Sequence, residues 1–379
     1  MVPLTGSQRE YGLDWLRVIA FVILIGYHTG MFFVPWEWCI KNPEQSESLT
    51  WVMIFFNRWR LPLLFFISGA GVFFSLRRRS FGRFATERVR RLLLPLAFGM
   101  LVVVPPQIYF ERLWRGQTTA SYWQFWKTVF EFVSYPAGNL SWHHLWFVAY
   151  ILVYSLVGIP LFMALKSAAG RRFVESLARL AEKPGLIYLF NVPSIGVALW
   201  LGPKWPTTLN LVSDWANFTG SLVTFLWGFI ICGHGRFLDL LVRKRREFLA
   251  LALVMTAVFY GVRVTGSNAG WNPTTRLWAN VLIDSYLAMG WILGLVGWSR
   301  VLLNRDSPLL RYANRAVYPF YIAHQTITVT LGYYMIPWKA PVAVKLPLLA
   351  AGTFFGSWIV FELVRRHPVT RAVMGITHA

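Results

Sequence analysis

Arg17 and His28 are the first residues along the chain whose types and spacing could do chemistry together. They stand eleven residues apart in an otherwise apolar stretch that begins Leu13-Asp14-Trp15-Leu16-Arg17. At about 100° per residue the separation is roughly 1100°, within about 20° of three full turns, so a helix presents both on one face. At about 1.5 Å per residue they lie roughly 16 Å apart along the axis. Asp14, three residues before Arg17, is spaced to form a helical ion pair with it. One face therefore carries an ion pair at one end and an imidazole deep in the helix. A guanidinium holds phosphate by charge-assisted hydrogen bonds. An imidazole titrates near neutrality and can remove a proton from a hydroxyl. An acyl-CoA joins a phosphate-rich head to a pantetheine arm of comparable reach, so Arg17 would hold the head and His28 would meet the thioester. The plain alternatives are a charge anchor for Arg17 and a helix–helix hydrogen bond for His28.

Other candidates are spread along the chain. The segment 77–91 carries seven arginines, of which Arg88 and Arg91 stand one turn apart where an apolar run begins, with Glu87 beside them. Guanidinium forks suit phosphate; positive-inside topology and anionic lipid explain such a loop equally well. His324 lies about eight residues into an apolar run, roughly 12 Å deep. It is placed for donor contact, for support of His28, or for a bond between helices. Arg60 stands near the outer end of the second run, where it would contact an acceptor or snorkel to headgroups. Ser68 has no base beside it, and with Gly69 and Gly71 it reads as close helix packing. The two cysteines, Cys39 and Cys232, fall on opposite sides and show no metal-ligand spacing. No metal site and no permanently bound cofactor are expected. Nucleophile-elbow, zinc-protease, Walker and dinucleotide-binding motifs are absent from the sequence.

The elements that must position these residues are membrane helices. Of 379 residues, 56% are apolar and only 14% charged, with a mean hydropathy of +0.48. A soluble domain carries about 25% charged residues, so this chain could not cover an ordinary water-facing surface. Ten apolar runs approach the ~20 residues that a bilayer core requires: 13–34, 57–76, 92–110, 144–165, 186–202, 218–234, 248–265, 278–299, 316–336 and 344–364. The second has a doubtful start at Asn57, Arg58 and Arg60 before Pro62, and the fifth is short and holds Pro193. With the N-terminus inside, cytoplasmic segments hold 26 of the 37 Lys and Arg residues, and outer segments hold nine. That asymmetry is the positive-inside pattern. The net charge of +21 is thus topological, and nucleic acid is excluded as a partner. The first run is too long for a signal-peptide core of about 7–15 residues. The twenty Trp residues gather near run ends, as interfacial belts do. The expected fold is all-α: a polytopic transmembrane helix bundle of about ten spans in the cytoplasmic membrane, both termini cytoplasmic, with 1–379 a single domain.

Five segments then carry a resemblance, in order along the chain. Leu13-Asp14-Trp15-Leu16-Arg17 followed by His28 is similar to the opening signature of the membrane acyltransferase-3 family. Arg60-Leu61-Pro62-Leu63-Leu64-Phe65-Phe66-Ile67-Ser68-Gly69 resembles its second-span motif. Arg79 to Phe84, then Arg88-Val89-Arg90-Arg91 running to Pro95, resembles its basic loop. His144-Leu145-Trp146-Phe147 resembles the start of its middle span, and Tyr318-Pro319-Phe320-Tyr321-Ile322-Ala323-His324-Gln325 its late Tyr-x-x-His-Gln segment. The style is closest to the branch that includes glucan-modifying succinyltransferases. The resemblance implies transfer of an acyl group from a cytoplasmic acyl-CoA co-substrate to a carbohydrate hydroxyl. It implies that Arg17 and His28 are the essential pair, with Asp14 orienting Arg17, and it favours His144 and Trp146 as lining of the acceptor pocket. Arg88, Arg91 and His324 remain candidates for the donor, and Arg60 for the acceptor. Direct transfer with His28 as general base and an acyl-His intermediate both stay open. A transporter or flippase that uses the buried Asp, Arg and His groups as a relay is the alternative from another class, and a membrane scaffold or sensor is a third. Inverted repeats and paired broken helices, common in transporters, are not visible in the sequence.

Overall fold

The computed structural model describes residues 9–376. The terminal residues whose side of the membrane the charge pattern concerns lie outside the described residues. No strand forms among the described residues, and one isolated bridge joins Ser134 to Leu140. The helices that matter are α1 (Tyr11–Met31), α2 (Glu47–Arg77), α3 (Phe81–Trp114), α4 (His143–Val157), α5 (Ile159–Lys166), α6 (Leu186–Trp200), α7 (Trp215–Cys232), α8 (Arg245–Thr265), α9 (Pro273–Leu302), α10 (Pro308–Met335) and α11 (Val342–Val364). Each of the ten apolar runs coincides with one of them, or with the α4–α5 pair, to within a few residues at its ends. Seven are long and apolar enough to cross a membrane, or eight if α4 and α5, bent by 52°, form one span. The bend follows Gly158 and precedes Pro160, which removes a helical donor. The two remaining runs differ from a plain span. α6 is short, and α10 carries Arg311, Asn314, Arg315, His324 and Gln325 along its length.

Helix ends follow local chemistry. Asn272 and Ser307 cap α9 and α10 by accepting from Thr275 N at 2.8 Å and Leu310 N at 3.0 Å, each followed by proline at the first helical position. α1 stops at Met31, three residues before its apolar run ends. The Lys41 ammonium there donates to Met31 O at 2.7 Å and Val34 O at 2.8 Å, meeting carbonyls that a helix end leaves without partners. Burial lowers the Lys41 pKa to about 8, against a smaller opposing pull from Cys39. α2 corrects the sequence reading. It begins at Glu47, so Asn57, Arg58, Arg60 and Pro62 lie inside the helix. A mid-helix charge is tolerable because Arg58 pairs with Asp284 at 2.9 Å.

The chain divides into two compact units. One comprises the chain up to Ala20, Asn57–Ala85 and Val153–Asp306. In it α2 crosses α7 at glycines: a Cβ on Gly69 would overlap the Phe225 carbonyl, and one on Gly228 the Phe66 carbonyl. Such contacts replace the hydrophobic drive that lipid does not supply. Gly71, expected to serve the same packing, is exposed with nothing near its Cβ position. Ser68 Oγ donates to Leu64 O of its own helix at 2.7 Å.

The other unit comprises Phe21–Phe56, Thr86–Leu152 and the chain from Ser307 onward. Its core includes Phe32, Phe33, Cys39, Ile40, Val329, Met335 and Leu349, and α10 packs along α11. α3 is not uniform: π-turns at Val89–Leu93 and Gly99–Val103 flank an α-helical stretch containing Pro95. A π-turn skips backbone hydrogen bonds, so carbonyls need other donors. Trp126 Nε1 reaches Leu101 O at 2.8 Å and Thr326 Oγ1 reaches Val103 O at 2.6 Å. The loop after α3 is ordered by Arg112, which donates to Asn139 Oδ1 at 2.6 Å, Pro136 O at 3.0 Å and Gly138 O at 2.8 Å.

Candidate active site

α1 is one uninterrupted helix, so the eleven-residue step from Arg17 to His28 is a helical step. In the first unit Arg17 Nη2 lies 2.9 Å from Asp14 Oδ1, the pairing that the i,i+3 spacing predicts. Arg9 Nε takes the other oxygen at 2.7 Å, a partner the sequence reading missed. Asp14 thus aligns two guanidiniums, and the Arg17 side chain keeps 35% exposure. Nearby, Arg300 pairs with Glu10 at 2.7 Å.

In the second unit His28 meets His324. His28 Nδ1 lies 2.6 Å from His324 Nε2, and the rings are parallel to within 4°. Face-to-face rings cannot bring their atoms closer than about 3.5 Å, so these rings share a plane, edge to edge, through a hydrogen bond. Their protonation follows from the next contact. His324 Nδ1 lies 2.7 Å from Tyr321 O and 3.2 Å from Phe320 O, and a carbonyl only accepts. Nδ1 of His324 therefore carries hydrogen. In the neutral pair its Nε2 accepts, His28 Nδ1 donates, and His28 Nε2 is the basic nitrogen. That is the logic by which a carboxylate orients a catalytic imidazole, with a buried histidine in the carboxylate's place. His324 is fully buried, whereas His28 is half-buried.

A polar network continues from the pair. The His144 ring stands edge-on to His324, centroids 5.3 Å apart. Its Nε2 donates to Ile322 O at 3.1 Å, so Nδ1 accepts from Gln107 Nε2 at 3.4 Å. Gln107 Nε2 also donates to Thr326 Oγ1 at 2.7 Å, and Gln325 Nε2 donates to Gln107 Oε1 at 3.1 Å. Tyr321 OH donates to His144 O. Gln107 was not visible as a candidate in the sequence, where it is one polar residue after two prolines. Its polarity near the end of an apolar run was the available signal.

Of the remaining candidates, His144 is the one that takes part in the hydrogen bonds named above. His144 is 6% exposed with both ring nitrogens engaged, and Trp146 is buried with its ring edge-on to Tyr150 at 5.0 Å. Arg60 is only 4% exposed, within the first unit, so it does not snorkel outward. Arg88 and Arg91 are partly exposed at the first π-turn, which takes more residues per revolution than the α-turn their spacing assumed. An open pocket of about 340 Å³ in the second unit is lined by Asn42, Glu44, Trp338, Lys339 and Lys345 among others, and by none of the expected acceptor residues.

Comparison with known proteins adds to this geometry. Glucans biosynthesis protein C of Salmonella heidelberg is 24% identical over 346 residues, covering 87% of this chain and 85% of the relative. The proteins of the same name from Shigella dysenteriae and Escherichia coli are each 24% identical over 347 residues, with the same coverage. No solved structure matches the chain. A family model described as an acyltransferase domain matches residues 10–362, a span that takes in every candidate named above from Asp14 to His324. On that match, the chain belongs to the acyltransferase-domain family.

Proposed function

We propose that the protein is an integral-membrane O-acyltransferase that moves an acyl group from a cytoplasmic acyl-CoA to a carbohydrate hydroxyl. The His28–His324 hydrogen bond, in a chain of an acyltransferase family, carries this reading. In the proposed reaction His28 Nε2 takes the acceptor hydroxyl proton as that oxygen attacks the thioester carbonyl. The C–S bond breaks, and the CoA sulfur leaves with the proton returned from His28. His324 holds the required tautomer. Asp14 aligns Arg17 for the anionic head of the donor, with Arg88 and Arg91 as further donor contacts. The carbohydrate acceptor is supported by relatives named for glucan biosynthesis. The reading includes about ten spans with cytoplasmic ends, and a single functional unit. The polar chain from half-buried His28 through buried His324, His144 and Gln107 also suits a proton relay, which supports the transporter reading in second place.

The test is transfer of labelled acyl groups from acyl-CoA by protein purified in detergent. His28→Gln keeps a side-chain hydrogen bond but cannot act as a base. It should lower turnover by about two to four orders of magnitude and leave CoA binding intact. Near-normal transfer by this variant would end the mechanism. A wild-type protein that neither transfers nor hydrolyses acyl-CoA, yet drives proton-coupled solute flux in liposomes, would favour the transporter.

A further inference from the structure

Cys39, Glu111 and His143 are 72 and 32 residues apart in sequence, and the second unit brings them together. Cys39 follows α1, Glu111 stands in the last turns of α3, and His143 opens α4. One sulfur, one carboxylate oxygen and one imidazole nitrogen all lie within 4.8 Å of one another. Tetrahedral zinc, with bonds of about 2.0–2.3 Å, sets its ligand atoms roughly 3.3–3.8 Å apart. A contraction of about 1 Å closes that gap, well within a side-chain adjustment.

The surroundings divide the work as metal sites do. Glu111 is 3% exposed, and its Oε1 receives Tyr135 OH at 2.8 Å and Arg115 Nη2 at 2.9 Å. Its Oε2 is buried, has no hydrogen-bond partner among the described residues, and lies 3.8 Å from His143 Nε2. A buried carboxylate oxygen left in that state is costly. His143 Nδ1 bonds Ser141 Oγ at 2.7 Å, which turns Nε2 toward Glu111, as outer partners orient metal-bound imidazoles. The His143 backbone has φ +39°, a left-handed conformation that a histidine adopts at a cost. No part of the acyl-transfer mechanism above uses this cluster.

We propose that Cys39, Glu111 and His143 form a site for a zinc-class divalent transition metal, with one coordination position left open. A sulfur, nitrogen and oxygen donor set suits zinc and cobalt and not magnesium or calcium, which take oxygen ligands. On binding, the Cys39 S–H proton leaves to solvent and a metal–sulfur bond forms. Thiolate plus carboxylate then balance the two positive charges. Arg115 stays on the outer carboxylate oxygen, and Lys41 stays on the carbonyls that end α1. The ion ties three segments of the second unit together at the ends of α1, α3 and α4. The open position takes a water or a hydroxyl.

The experiment uses the full chain in detergent, stripped with a chelator and titrated with cobalt(II) alone, then with zinc(II). One equivalent of cobalt should bind with a thiolate-to-metal charge-transfer band, and zinc should displace it. Cys39→Ser should lose the band, and Cys232→Ser should keep it. Glu111→Gln and His143→Gln should weaken binding at least tenfold, and Ser141→Ala, which leaves all three ligands in place, about ten- to a hundredfold. Size-exclusion profiles identify any ligand variant that misfolds, in which case Ser141→Ala and the Cys232→Ser control decide. Absence of a charge-transfer band in the folded wild-type protein, or a band that survives Cys39→Ser, overturns the proposal. Because the readout is metal binding, neither result depends on acyl transfer.

Discussion

At the residue scale the central fact is the direction of one hydrogen bond. His324 donates to a backbone carbonyl and, in the neutral pair, accepts from His28, which leaves the basic nitrogen of His28 on its far side. Loss of that acceptor removes the hydrogen bond that fixes the His28 tautomer, at about 1–3 kcal/mol. His324→Ala should therefore reduce kcat roughly 5- to 150-fold, with donor binding unchanged. His324→Asn, whose amide oxygen can accept from His28, should recover part of the loss. Equal activity of both variants with wild type would reduce His324 to a packing residue. Arg17 acts at the other end of the same helix. Removing a charge-assisted hydrogen bond costs about 1.5–3 kcal/mol, so Arg17→Ala should weaken CoA binding roughly ten- to more than a hundredfold. Calorimetric titration with CoA reads this directly, and unchanged affinity would remove Arg17 from donor binding.

At the element scale the helices are held by close backbone approach and by repair of helix irregularities. The α2–α7 crossing depends on Gly69 and Gly228, each with its Cβ position against the opposite backbone. Gly71 shares the helix and the residue type but faces open space. Overpacking costs about 1–3 kcal/mol. Gly69→Val should lower the melting temperature of the detergent-solubilised protein, whereas Gly71→Val should not. Equal melting of the two variants would show that the crossing contributes little. The π-turns of α3 illustrate the second device. Their carbonyls are met by Trp126 and Thr326, and Thr326 in turn accepts from Gln107 in the network around the histidine pair. The irregular backbone of one helix is thereby joined by hydrogen bonds to the side chains around His144.

At the scale of the whole molecule the issue is orientation. The 26-to-9 distribution of Lys and Arg predicts that 77–91 and 236–246 face the cytoplasm and that 38–50 and 111–140 face outward. In a cysteine-free background, a membrane-impermeant thiol reagent added outside should label a cysteine placed at Gln45 and spare one at Ser80. Both positions are exposed. The opposite labelling would put Arg88 and Arg91 on the far side from cytoplasmic acyl-CoA and remove them from donor binding. The same experiment assigns a side to the Cys39–Glu111–His143 cluster, since Gln45 and Cys39 lie in one connecting segment.

The helical class, the location of each apolar run and the Arg17–His28 register were legible in the sequence, because they depend on composition and on local period. A bilayer makes any apolar run of sufficient length helical by forbidding unpaired backbone groups. An eleven-residue step on a helix has one geometry. The Asp14–Arg17 pair was legible for the same reason. Contacts between distant segments were not. The pairing of His28 with His324 spans 296 residues, and no local rule selects it from among seven histidines. Gln107 follows two π-turns that shift the phase of α3, and a π-turn has no compositional signature. Arg60 looked interfacial because the start of α2 was read ten residues late, and a charge that pairs across helices, as Arg58 does with Asp284, carries no local mark of its partner. Cys39 had no ligand spacing because the residues it meets, Glu111 in α3 and His143 at the start of α4, are distant in the chain. Periodicity is a property of neighbours in the chain, and the candidate constellation is a property of neighbours in space, which only the packing of the helices decides.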